Sequence, residues 1–154
     1  MEKIIRYVSE EDFDLLREMY LNEVEDHKQR AKKFAEDLIF RLKTIICEIN
    51  GKIIGTISWD TRGGLNDGVI ELIGLGVSQN YRRQGVAEDL ILTLITEAKD
   101  FFKVDGNKLR VIYFFMEREN KGGRAFYKRM GFHEVSIVPA FYPHDDAIVW
   151  IKYF

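Results

Sequence analysis

Val77-Ser78-Gln79-Asn80-Tyr81-Arg82-Arg83-Gln84-Gly85-Val86-Ala87 joins a strand-like apolar run, Val69 to Val77, to a long amphipathic helix. Two arginines precede a glycine placed where the first helical turn begins. The opening turn of a helix leaves its amide N–H groups without intrahelical acceptors and carries a partial positive charge. A glycine there lets a polyanion approach the main chain, and Arg82 and Arg83 add full charges beside it. The junction reads as a phosphate site; the plainer alternative is an ordinary strand–loop–helix whose arginines are solvated.

The helix itself follows from periodicity. Val86, Leu90, Ile91, Leu94, Ile95, Ala98 and Phe101 or Phe102 recur at three- and four-residue intervals, with Glu88, Asp89, Thr93, Thr96, Glu97 and Lys99 opposite them. Two well-known phosphate loops do not fit. No Gly-Lys-Ser/Thr occurs in the chain, which excludes the P-loop. Gly74-Leu75-Gly76 is followed at the third position by Gln79, and the loop follows about the fourth strand, not the first, which excludes a dinucleotide fingerprint.

Working outward, Lys3 to Val8 is a β-branched first strand, and Ser9 with Asp12 caps a helix through about Leu21. A second helix, about Glu25 to Leu42, places Ala31, Phe34, Ala35, Leu38, Ile39 and Leu42 on one face. Thr44 to Ile49 and Lys52 to Trp59 flank Asn50-Gly51, a strong hairpin signal. Past the phosphate helix, Leu109 to Met116 reads as a strand buried on both faces. Lys121 to Met130 is a short helix, and Phe132 to Val138 and Ala147 to Tyr153 are the closing strands. The order β-α-α-β-β-β-α-β-α-β-β describes an α/β sandwich on a mixed sheet.

Composition narrows the class. A chain of 154 residues with nearly half its residues apolar supports one domain over 1–154. A formal net charge of −2 gives no reason to expect a nucleic-acid partner. The one cysteine, Cys47, precludes an intramolecular disulfide framework and reads as a buried thiol in a reducing compartment. Met1-Glu2-Lys3 leads straight into a strand and no stretch reaches the length of a membrane span, so a cytoplasmic protein is expected, with no membrane partner. His27, His133 and His144 lack metal-ligand spacing, so no metal is expected. Trp59 and Trp150 read as packing residues. The exposed end of the final strand makes a homodimer conceivable.

Arg82-x-x-Gly85-x-Ala87 resembles the Gln/Arg-x-x-Gly-x-Gly/Ala signature of the GNAT superfamily of N-acetyltransferases. Asn120, Ala125-Phe126-Tyr127 and Gly131-Phe132 resemble that family's Asn…Ala…Tyr-x-x-x-Gly-Phe segment. Gly123 departs from it, since members commonly carry alanine there. The resemblance implies a mixed, mostly antiparallel six- to seven-stranded sheet, with the fourth and fifth strands splayed and helices on both faces. Gly74 and Gly76 fit a bulge or splay in the fourth strand. It also implies acetyl-CoA as co-substrate. Leu75, Gly76 and Val77 would then pair with the pantetheine amides. Arg82, Arg83, Gln84, Gly85, Val86, Ala87 and Glu88 would hold the pyrophosphate, with Asn120 on the pantetheine arm.

Acetyl transfer to an amine needs a base for the ammonium, a donor for the developing oxyanion and an acid for the leaving thiolate. A main-chain N–H near Val77 is the expected oxyanion donor. Strand alternation puts Val69, Glu71, Ile73 and Leu75 on one face, which nominates Glu71 as a base set in an apolar row; the alternative is a strand-end glutamate paired with an arginine such as Arg62. The resemblance agrees with Glu71 and assigns the acid to Tyr127, which otherwise reads as a core aromatic. The tail Ala140-Phe141-Tyr142-Pro143-His144-Asp145-Asp146-Ala147 resembles the aromatic hairpin of protein N-terminal acetyltransferases, which implies substrate contacts at Phe141 and Tyr142. Phe115 stands where the ribosomal-protein branch carries its catalytic glutamate. Asp145 and Asp146 suit a polyamine or other small cationic amine equally. His144 is a further candidate for deprotonating an amine. The alternative function is a non-catalytic sensor that binds acyl-CoA.

Overall fold

The computed structural model describes residues 2–154. Strands β1 (Lys3–Tyr7), β2 (Lys43–Ile49), β3 (Lys52–Arg62), β4 (Val69–Val77), β5 (Val111–Glu117), β6 (His133–Tyr142) and β7 (Asp145–Tyr153) alternate with helices α1 (Phe13–Glu23), α2 (Lys28–Glu36), α3 (Val86–Lys103) and α4 (Lys121–Arg129). The sheet order is β1-β2-β3-β4-β5-β7-β6. Registered pairs are antiparallel except β4 with β5. This is the mixed, mostly antiparallel sheet that the family resemblance implied, with seven strands. The chain forms two compact units, one running from its start to Asp60 with Ile73–Glu97, the other Thr61–Leu72 with Ala98–Phe154.

In the first unit, the Asn50-Gly51 turn has φ of 51° and 75°, the left-handed pair that a tight two-residue hairpin requires. The β2–β3 register shifts between Cys47↔Gly55 and Glu48↔Ile53, which leaves Ile54 as the extra residue of a bulge. That bulge separates two packing roles on β3. Ile53 joins Leu16, Ala35, Leu38 and Ile46 in the core under α1 and α2. A Cβ at Gly55 would stand 3.1 Å from both Leu90 and Val86, so glycine lets α3 lie close on the strand. The Ile54 carbonyl accepts Ser78 N–H at 2.8 Å and pins the end of β4.

Helix α3 buries Val86, Leu90, Ile91, Leu94, Ala98 and Phe102, the face that periodicity marked. The second helix is shorter than expected. His27 Nδ1 accepts Arg30 N–H at 3.1 Å and starts α2 late, and Asp37–Arg41 follows as a π-helical turn. Cys47 is fully buried, and burial pushes its thiol pKa up.

In the second unit, β5 is not buried on both faces. Ile112, Phe114 and Met116 are buried while Tyr113, Phe115 and Glu117 are half-exposed, because only one face of the strand meets the core. Phe114, Tyr127, Phe132 and Trp150 form that core, with Phe114–Tyr127 ring centroids 4.3 Å apart. The final strand is not the edge. It lies between β5 and β6, so the free edge on this side is β6. Strand β6 is also longer than expected and carries Phe141 and Tyr142 up to a two-residue turn.

The entry to α1 is organised around buried Asp12. Its two carboxylate oxygens each accept from Arg6 at 2.8 Å and one accepts Ser9 N–H at 2.8 Å, while Arg6 also donates to Glu48 at 2.9 Å. The helix begins here as a 3₁₀ turn, Glu10–Asp12. Hydrogen bonds from Arg6 hold Asp12 below its ordinary pKa of 3.8. Because the folded pKa is the lower one, this stability is full above the unfolded value and is lost as pH falls through the folded value. Asp12→Ala is expected to cost about 1–3 kcal/mol at pH 7 in urea unfolding, with the gap from wild type narrowing as pH falls below 3.8.

Candidate active site

The loop between β4 and α3, which the sequence nominates for phosphate, lies in the first unit. After β4, Gln79–Tyr81 forms a single 3₁₀ turn, and the chain then adopts positive φ at Arg83 (60°) and Gly85 (83°). The first α-helical bond runs from Asp89 N–H to the Gly85 carbonyl at 3.0 Å. Among the described residues, no acceptor meets the amide N–H of any residue from Arg83 to Glu88. A run of unpaired amides through a left-handed turn onto a helix start is an anion-binding concavity. A Cβ at Gly85 would meet nothing within 4 Å, so the ground in front of these amides is open.

The two arginines differ in role. Arg82 Nε donates to the Val77 carbonyl at 3.0 Å and braces the strand-to-loop turn, whereas Arg83 and Gln84 are exposed on the loop. Leu75, Gly76 and Val77 form the end of β4. Gly74 and Gly76 have negative φ and open space at the Cβ position, and both lie within β4. The β4–β5 register ends at Glu71↔Tyr113, although β4 runs on to Val77 and β5 to Glu117.

Glu71 and Tyr127 belong to the second unit. The buried residues of β4 are Ile70 and Leu72, so the row containing Glu71 is the half-exposed one. The Glu71 side chain is 23% exposed and ion-paired with Arg62, the partner that sequence offered as the alternative. Arg62 Nε at 3.0 Å and Tyr113 Oη at 3.3 Å both donate to Oε1, which leaves Oε2 without a partner among the described residues. Burial first, and the Glu71 carboxylate second, push the Tyr113 phenol up. Tyr113 escaped sequence reading because Leu109 to Met116 looked uniformly apolar.

Tyr127 is only 8% exposed, and burial pushes its phenol pKa up to about 12. Its position follows from both ends of α4. Asn120 Oδ1 accepts Gly123 N–H at 2.9 Å as the N-cap, which leaves its amide NH₂ as a donor. At the other end, Phe132 N–H bonds the Tyr127 carbonyl at 3.0 Å and Gly131 N–H bonds Lys128 at 3.1 Å, with Gly131 at φ 87°. This Schellman closure gives the Tyr-x-x-x-Gly-Phe spacing a physical reason. Gly123 also gains one: a Cβ there would stand 2.7 Å from Met116 Sδ and 2.8 Å from Asn120 Nδ2.

Phe141 stacks on Phe115 at 5.0 Å, and Tyr142 stacks on His144 at 5.9 Å. His144 Nε2 lies 4.0 Å from Glu117, a carboxylate that sequence reading passed over. Asp145 and Asp146 are engaged internally. Asp145 accepts Glu119 N–H and Asp146 N–H, both at 2.8 Å, and Asp146 accepts Ala140 N–H at 2.9 Å and Arg118 at 3.3 Å. They build the hairpin, whose Ala140 has φ 53°. No helix of the described residues is long and apolar enough to cross a membrane.

Comparison with known proteins agrees with this geometry. The Acetyltransferase (GNAT) family matches residues 10–132. A curated relative, the uncharacterized N-acetyltransferase MJ1207 of Methanocaldococcus jannaschii, is 29% identical over 151 residues; the match covers 87% of this chain and 62% of that protein. The chain therefore spans less than two thirds of that relative's length. Among solved structures, the ribosomal-protein-S18-alanine N-acetyltransferase from Escherichia coli superposes with a TM-score of 0.78 at 20% identity, over 99% of this chain and 94% of that one. Arabidopsis thaliana NAA60, solved in complex with acetyl-CoA, superposes with a TM-score of 0.75 at 17% identity, over 99% of both chains. The loop, the capped α4 and the family match together place this chain in the GNAT acetyltransferase family.

Proposed function

We propose that this protein transfers an acetyl group from acetyl-CoA to a primary amine. The observation that carries the reading is the run of unpaired amides from Arg83 to Glu88 ahead of α3. A diphosphate supplies acceptors for such amides, and the helix start stabilises its charge. Arg83 and the free nitrogens of Arg82 add cations. The carbonyls and amides of Leu75 to Val77 suit a pantetheine arm laid along them as an added strand. The Asn120 NH₂ is a donor for the same arm. When bound, acetyl-CoA supplies an activated thioester.

Glu71 is the base in this reading. Oε1 is held by Arg62 and Tyr113, which fixes the side chain and leaves Oε2 to take the ammonium proton. Tyr127 is the acid. A phenol with a pKa of about 12 stays protonated throughout the neutral range and is available to the departing thiolate. Burial makes the phenol a weaker acid, but it also destabilises an unprotonated thiolate beside it, so the two effects offset and the proton can still pass to sulfur. Phe141 is 50% exposed and with Tyr142 offers the acceptor an aromatic surface. The acceptor is a peptide N-terminus or a small cationic amine. With Asp145 and Asp146 taken up in the hairpin, charge attraction is no special argument for the second.

Gly85→Ala places a methyl before the amides and strains a left-handed residue, so isothermal calorimetry is expected to show acetyl-CoA affinity falling at least about tenfold, with the fold retained. Unchanged affinity would remove the loop from the site. In steady-state assays, Tyr127→Phe is expected to lower turnover by about 10- to 1000-fold with little change in acetyl-CoA affinity, and Glu71→Gln to lower turnover and flatten its pH dependence. Full-rate variants would reassign both roles.

A further inference from the structure

The first unit contains a cavity of 390 Å³ that runs from the strand end Leu75 to Val77, where the acetyl-transfer reading lays the pantetheine arm, to helices α1 and α2, which that reading does not use. Its apolar walls are Met19, Val24, Phe34, Leu38 and Leu42 together with the strand stretch 73–77, while Glu23, Thr56, Ser58 and Arg82 bring polar groups to its lining. Met19 and Phe34 pack against the core that contains Leu38, so these walls are fixed by packing. Tyr20 also lines the cavity. Its hydroxyl is bonded to Glu25, which Arg30 holds at 2.7 Å, and its ring packs on Phe34 at 5.2 Å. The π-helical turn Asp37–Arg41 supplies Leu38, and the residue that ends it is Leu42. Such turns are rare and recur at functional sites.

We propose that this cavity receives the hydrocarbon chain of an acyl-CoA longer than acetyl. The inference rests on the reading above, in which the thioester lies along the end of β4. An acetyl methyl needs roughly the space of one water, about 30 Å³, and the cavity holds many times that. It also reaches the main chain where the thioester would lie: Gly74 and Gly76 line it, and a Cβ on either would meet nothing within 4 Å. A chain covalently tied to that thioester enters the cavity directly.

The test is calorimetry of acetyl-CoA and hexanoyl-CoA on the intact protein and on Val24→Trp. Val24 is 64% exposed at the cavity, so a tryptophan there can fill the space with little risk to folding. Each buried methylene is worth about a fourfold gain in affinity. Hexanoyl-CoA is therefore expected to bind at least about tenfold tighter than acetyl-CoA. Val24→Trp is expected to erase that gain while leaving acetyl-CoA affinity within about twofold. Equal affinities in the wild type, or a hexanoyl preference that survives Val24→Trp, would overturn the inference and leave acetyl transfer standing. Failure of the wild type to bind either ligand would overturn both.

Discussion

The function proposed for this chain depends on main-chain donors left unpaired where β4 turns into α3. Everything nearby keeps them so. Positive φ at Arg83 and Gly85 turns the amides away from the preceding carbonyls, and the helix accepts its first bond only at the Gly85 carbonyl. Beneath them, Gly55 lets Val86 and Leu90 settle on β3, and the Ile54 carbonyl anchors Ser78. Unpaired amides are tolerable on a protein surface because water serves them. Preorganised in one concave run, they become a site, since the folded chain has already met the cost of aligning them.

The second unit follows a similar logic with a helix only nine residues long. Such a helix has little intrinsic stability, so its ends must be fixed. Asn120 caps one end and a Schellman closure through Gly131 and Phe132 fixes the other, which sets Tyr127 at a defined point against Phe114 and Trp150. The Asn…Tyr-x-x-x-Gly-Phe spacing therefore has a structural reason of its own, independent of the acid role proposed for Tyr127. It delivers a phenol, and the surrounding aromatic core keeps that phenol protonated.

Elements with strong local signals were legible in the sequence. The period of α3, the Asn50-Gly51 hairpin and the glycine at the helix start each carry their own physics, and each is found in place. Features set by long-range partners were not. Whether β5 is covered on one face or two, and which closing strand is the edge, depends on neighbours that periodicity cannot see. Glu71 shows the same limit: alternation placed it correctly on the Val69 face, but only the fold reveals that this face is half-open and that Arg62 and Tyr113 hold the carboxylate. Asp145 and Asp146 looked like free charges because a sequence does not show the amides they accept.

The most direct measurement is a titration of the ¹⁵N-labelled protein with coenzyme A, followed by amide resonances. The account requires saturable shifts concentrated in the amides of residues 83–88, where new acceptors replace water. Saturable shifts centred elsewhere, with these amides unmoved, would contradict it.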